Sequence, residues 1–229
     1  MRRVLKIAAR IVGCVLIVCV VAFAYFVYTP LHKPPRLTGR AQPATIRVGG
    51  RVRSYVEYVP AKLPPGSPLV IVLPALAMNG EMMRVATGFE FDSLADRNNF
   101  AVFYPEAYKG SWNDCRIHVR TAARLENIDD VGFIRALVAE AGLKFGVDAN
   151  KVFAVGLSNG GHMALTLATQ SPSPVAGIAV FGANLPTRDN SNCPQDTPTP
   201  PVMIVDGTDD PLSPYQGGES GLTKKGPVV

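Results

Sequence analysis

Histidine is almost missing from this chain: His32, His118 and His162 are its three among 229 residues. That scarcity restricts any chemistry that needs an imidazole, whether as proton acceptor or as metal ligand. Cysteine is scarce as well, with four residues. Cys14 and Cys19 belong to an N-terminal apolar run, and only Cys115 and Cys193 lie beyond it. There is no CxxC pair and no Cys/His cluster, so no metal site is expected. No glycine-rich phosphate loop or dinucleotide fingerprint occurs either, and no cofactor is expected. The net charge of +5 arises largely at the start, from Arg2, Arg3, Lys6 and Arg10. The remainder is near balance, which gives no case for nucleic acid as a partner.

What is present starts with MRRVLKIAAR and then IVGCVLIVCVVAFAYFVY, eighteen residues without a charge. At about 1.5 Å rise per residue, such a run just spans a bilayer core as a helix. The basic flank would stay in the cytoplasm and send the rest out. One reading is an uncleaved anchor over residues 11–28. Another is a signal peptide cut after Ala22-Phe23-Ala24. Ile11-Val12-Gly13-Cys14 resembles a lipoprotein box, but Arg10 leaves almost no apolar segment before it. The expected location is therefore secreted, or membrane-anchored with the domain outside the cytoplasm. In such a compartment Cys115 and Cys193 either pair or remain two thiols. Residues 29–43, rich in Pro and charge, read as a linker, and 44–229 as the folded domain.

Within that domain, ATIRVGGRVRSYVEYVP alternates apolar and polar residues around Gly49-Gly50, a hairpin pattern. PLVIVL, FAVFYP, KVFAVG, VAGIAVFG and PVMIVDG are short apolar runs that fit buried strands. Between them, Glu81 to Asn98 has near-helical spacing. Asp129 and Asp130 precede a helix at VGFIRALVAEAGLKFG, and SNGGHMALTLATQ reads as another. Alternating strands and helices after an opening hairpin imply an α/β fold with a mostly parallel sheet.

Functional groups gather at the carboxyl ends of strands in such sheets. Gly156-Leu157-Ser158-Asn159-Gly160 is G-x-S-x-G between a predicted strand and a predicted helix, the context expected of a nucleophile on a sharp turn. The competing reading is a plain turn with Ser158 as helix N-cap.

GLSNGG, MNGEMM, WND, DDVGFIRALV and GTDDPLSPY together, in this order from about Arg51 onward, resemble the secreted polyhydroxybutyrate depolymerase family. That family stands with the feruloyl and acetylxylan esterases. The resemblance implies an α/β-hydrolase three-layer sandwich and a triad in chain order serine, acid, histidine. It points to Ser158 as nucleophile and Asp210 as acid, with Asp209 the alternative. It implies backbone oxyanion donors at Asn159 and, by position, Leu76. Where the family has His-Gly, this chain has Pro74-Ala75, and proline carries no N–H. Trp112 and Tyr215 are candidates for an aromatic wall against substrate, with simple packing as the competing reading.

The family's histidine follows the acid, yet none of the nineteen residues after Asp210 is histidine. The last strand and helix of the fold are expected to be lacking as well, leaving a sheet edge uncovered. His162, four residues past Ser158 on the helix, is expected to face the core. His32 falls in the linker, and His118 lies in an irregular region that could border the site. The expectation is thus an exported serine esterase, C-terminally truncated and weak or inactive, acting on a polyester or plant-wall-type ester. The alternative is a membrane-tethered binding protein on a hydrolase scaffold.

Overall fold

The computed structural model describes residues 13–14, 16–21, 35–194, 198–219 and 227–228. The chain divides into two units, Met1–Pro35 and Arg36–Val229. In the first, Gly13, Cys14 and residues 16–21 are helical. No helix among the described residues is long and apolar enough to cross a membrane. Much of segment 11–28, the first part of the linker and His32 lie outside the described residues.

The second unit opens with strands β1 (Arg40–Val48) and β2 (Arg51–Val59). Strand structure therefore begins inside the stretch read as linker. Arg40 to Pro43 pair with β2 from Val59 back to Val56. Pro43 is tolerated because β1 is an edge strand whose outer side needs no ladder donor. Gly49 and Gly50 turn the hairpin at φ 55° and 77°. That left-handed pair suits the twist of a two-residue hairpin and costs little only for glycine.

Five parallel strands follow: β3 (Leu69–Leu73), β4 (Ala101–Pro105), β5 (Val152–Leu157), β6 (Gly177–Phe181) and β7 (Val202–Val205). The sheet order is β1-β2-β4-β3-β5-β6-β7. A two-stranded ribbon, β8 (Gly218–Glu219) with β9 (Pro227–Val228), completes the described strands. The stretch Glu81–Asn98 is not one helix but two, α1 (Gly80–Ala86) and α2 (Glu90–Asn98). Gly88 and Phe89, at φ 63° and 60°, break it. A short α3 (Ala122–Leu125) precedes α4 (Asp130–Phe145). The Asp129 carboxylate caps α4 by accepting from Gly132 N–H at 2.7 Å. Helix α5 (Asn159–Ala168) follows β5.

Apolar residues cover both faces of the sheet. Val56, Tyr58, Val72, Val102 and Tyr104 pack with Met83 of α1 and Ala95 of α2. Tyr55, Ile71 and Phe103 pack on the other face with Phe133 and Leu137 of α4 and Met163 and Leu167 of α5. The alternation of side chains along each strand makes this division. The result is three layers, helix–sheet–helix, as expected.

Strand order reverses beside β3: β4 lies on one side of it and β5 on the other. The crevice outside the carboxyl ends of β3 and β5 is the switch point where α/β sheets bind ligands. Leu73 pairs with Gly156 there, so the segments starting at Pro74 and Ser158 leave the sheet side by side.

Candidate active site

Ser158 stands between β5 and α5 at φ 53°, ψ −116°. For a residue with a Cβ this is a strained backbone, and strain of this kind persists where the surroundings enforce it. Two backbone hydrogen bonds and two close glycine contacts do so. Ser158 N–H donates to Phe181 O at 2.8 Å, and His162 N–H donates to Ser158 O at 3.0 Å. A Cβ at Gly156 would strike the Gly160 carbonyl, and one at Gly160 would strike the carbonyls of Leu73 and Pro74. Both glycines are therefore steric requirements of the turn. The Ser158 side chain makes no capping bond to α5, against the reading of a simple N-cap.

Asn159 starts α5, so its N–H has no intrahelical acceptor. The first-turn N–H groups also carry the positive end of the helix dipole. Its side chain is buried and held at both ends. Oδ1 accepts from Trp112 N–H at 2.9 Å, and Nδ2 donates to Asp114 Oδ2 at 2.8 Å. Burial pushes the Asp114 carboxyl up, but its bonds to Arg116 outweigh this and hold it below the usual carboxylate range.

The loop expected to give the second donor follows β3. Ala77 N–H is taken by Gly110 O at 2.8 Å and Met78 N–H by Ala75 O at 3.1 Å, with Ala77 at φ 61°. Among the described residues no protein acceptor takes the Leu76 N–H. The proline at 74 contributes its carbonyl instead, which accepts from the Trp112 indole N–H at 3.0 Å.

Trp112 is 1% exposed. The expected aromatic wall is corrected here: the ring is part of the core and cannot stack on a substrate, because its N–H and backbone are both spent on neighbouring loops. Tyr215 is exposed and follows the acid loop.

Asp210 lies past β7. Its Oδ1 accepts from Leu212 N–H at 2.7 Å and Ser213 N–H at 3.1 Å. Those backbone bonds, Ser213 first, hold its carboxyl below the usual range. Among the described residues no partner takes Oδ2, which lies toward Gly182, next to the β6 end that accepts from Ser158 N–H. A triad acid has this form, with one oxygen fixed by the backbone and the other free for an imidazole. Asp209 is exposed.

No described histidine bonds the Ser158 hydroxyl. His118 is exposed, and its backbone N–H is tied to Asn190 Oδ1 at 3.0 Å. His162 is buried one turn down α5, as expected. Burial first, and Arg116 next, push its pKa down to about 4. Its Nδ1 has no hydrogen-bond partner among the described residues. Beside it, a cavity of about 320 Å3 opens against Leu165, Leu185, Val202 and Ile204. Cys115 and Cys193 on its rim form a disulfide, with Cα atoms 5.2 Å apart. Among the described residues, no group of three His, Cys, Asp or Glu could hold a metal ion.

Sequence reasoning missed the side chains of Asp114 and Asn159 as a lock. It also missed the pairing of the WND and DDVGF motifs. Asp130 of the second accepts from Asn113 N–H at 2.8 Å and binds buried Arg53 at 2.7 Å. An acid directly after an N-capping acid was the signal, since one of the two had no local task.

This sheet order and elbow are those of the α/β-hydrolase fold. Residues 120–223 match the Abhydrolase_2 family, described as phospholipase/carboxylesterase. The chain is 33% identical over 194 residues to NocK of Nocardia uniformis subsp. tsuyamanensis, which is named as an esterase; the match covers 83% of this chain and 54% of NocK. It is 25% identical over 184 residues to the bifunctional acetylxylan esterase/xylanase XynS20E of Neocallimastix patriciarum, covering 77% of this chain and 24% of that protein. The chain thus spans about half and about a quarter of these relatives. Among solved structures, the acetyl xylan esterase of Aspergillus awamori superposes with a TM-score of 0.56 at 18% identity, over 76% of this chain and 75% of that one. That likeness concerns the fold.

Proposed function

We propose that this protein is a serine carboxylic-ester hydrolase whose nucleophile is Ser158. The observation that carries the reading is the strained Ser158 backbone, enforced by two glycines that admit no side chain. Ser158 Oγ attacks the ester carbonyl carbon and the alcohol leaves. The acyl-enzyme that forms is then hydrolysed by water, releasing the acid and restoring the serine. The N–H groups of Asn159 and Leu76 receive the oxyanion, and Asp210 is the acid that would orient a histidine base and stabilise its imidazolium. The ester is of the polyhydroxybutyrate, feruloyl or acetyl type, a range supported by the sequence resemblance and by the names of the esterase relatives.

The base is the part that no described histidine supplies. Removing the histidine of a serine triad lowers turnover on the order of 10⁶-fold, so the described residues by themselves support only slow turnover. A second reading, a non-catalytic binding protein on the hydrolase scaffold, is favoured by the same observation.

A fluorophosphonate probe separates the two. Under the first reading the full chain is modified slowly, the adduct maps to the peptide holding Ser158, and Ser158→Ala abolishes it. An unmodified wild-type chain supports the binding reading instead.

A further inference from the structure

We propose that Trp112 is a positioning residue that ties the two oxyanion-donor loops into one unit. The inference rests on the reading of Ser158 as nucleophile. One donor belongs to Asn159 at the start of α5, and the other to Leu76, two residues past Pro74. Trp112 reaches both segments from a third. Its backbone N–H grips the Asn159 side chain at 2.9 Å, and its indole N–H grips the Pro74 carbonyl at 3.0 Å.

The two grips act on different degrees of freedom. The Asn159 amide is held against rotation by Trp112 at Oδ1 and Asp114 at Nδ2, which sets the first residue of α5. The Pro74 carbonyl lies beside Gly160, 2.6 Å from the place a Cβ would occupy there, with the Leu73 carbonyl nearer still. Holding that carbonyl sets the peptide plane entering Ala75 and Leu76. Proline cannot be held through an N–H, so its carbonyl is the only backbone handle at this position.

Trp112 itself is anchored on both sides. Ser111 Oγ accepts from Ala123 N–H at 3.2 Å, and Asn113 N–H donates to Asp130. Two residues on, Cys115 N–H donates to Thr166 Oγ1 at 3.0 Å and Cys115 is disulfide-bonded to Cys193. With 1% exposure, Trp112 acts on a reacting ester only through the loops it holds. Displacing a positioned group by about 1 Å costs up to ~10²-fold in rate. The clamp therefore shows in the chemical step and not in probe binding.

The test uses the full chain and a fluorophosphonate probe that transfers its phosphonyl group to Ser158 with loss of fluoride. The inactivation rate and the probe's binding constant are separated by varying its concentration, and Tm is recorded for each variant. Trp112→Phe keeps the ring packing and removes the indole N–H. It is expected to lower the inactivation rate ~10-fold or more, with the binding constant unchanged within about twofold. Asn159→Ala removes the other grip and keeps the backbone donor; the same pattern is expected of it, and it decides the matter if Trp112→Phe does not fold. Wild-type inactivation rates in the folded variants would overturn the clamp and leave Ser158 as nucleophile. So would a loss that falls on the binding constant alone. A wild-type chain unmodified at Ser158 overturns the functional reading and the clamp with it.

Discussion

The two ends of the sheet differ sharply. Around β3, β5 and α5 every strand has neighbours on both edges and helices on both faces. Val180 of β6 is 0% exposed, and all residues of α5 are buried. At β7, two strands away, all four residues are exposed, with Ile204 at 47%. The proposed nucleophile and oxyanion loops belong to the first region, and the proposed acid Asp210 to the second. The serine elbow is a strained turn that only dense packing can hold. The acid needs only two local backbone bonds, which an exposed loop supplies.

That contrast should break most visibly at Gly160. Gly160→Ala drives a Cβ into the Leu73 and Pro74 carbonyls; a loss on the order of 4 kcal/mol or failure to fold is expected in denaturant titration. The disulfide joins the two regions, since Cys115 belongs to the buttress of the elbow and Cys193 to the loop before β7. It closes a sequence separation of 78 residues. Reduction should cost about 4 kcal/mol by loop-closure entropy, read as a fall in Tm on adding reductant. A Tm unchanged by reductant would mean that the two regions are not coupled through it.

His162 gives a smaller, pH-dependent effect. It faces Arg116, Asp114 and the Asn184 carbonyl, and its pKa is lowered from 6.5 to about 4. The unfolded chain therefore binds a proton that the folded chain refuses between these values. Stability from this residue is full above pH 6.5 and is lost as pH falls toward 4, on the order of 3 kcal/mol. His162→Gln should flatten the stability profile in that window. The smallest effect compares matched truncations. Val180→Ala should cost ~2 kcal/mol and Val202→Ala below ~1 kcal/mol. Equal costs would mean that β7 is packed as tightly as β6.

The sequence made the dense region legible and the loops much less so. Short apolar runs located β3 to β7, and G-x-S-x-G located the elbow, because strand burial and steric closeness act locally. The break at Gly88-Phe89 was hidden, since Phe89 takes a left-handed backbone that its residue type does not announce. The start of β1 at Arg40 was hidden too, because an edge strand tolerates Pro43 and charge. For Trp112 the sequence left an aromatic wall and simple packing both open, and the structure shows packing. Its partners, Pro74 and Asn159, lie 38 and 47 residues away in sequence, and no local pattern encodes bonds of that range. The disulfide was open for the same reason.

The most direct test of the account is hydrolysis of p-nitrophenyl butyrate by the full chain, with and without added imidazole, against Ser158→Ala. A sound nucleophile and oxyanion site with no described histidine at the serine predicts a slow rate in the wild type. That rate should rise with imidazole well beyond the rise in Ser158→Ala, as the free base takes the serine proton. A fast Ser158-dependent rate without imidazole would contradict the missing base. Equal rates for the two proteins at every imidazole concentration would contradict Ser158 as the nucleophile.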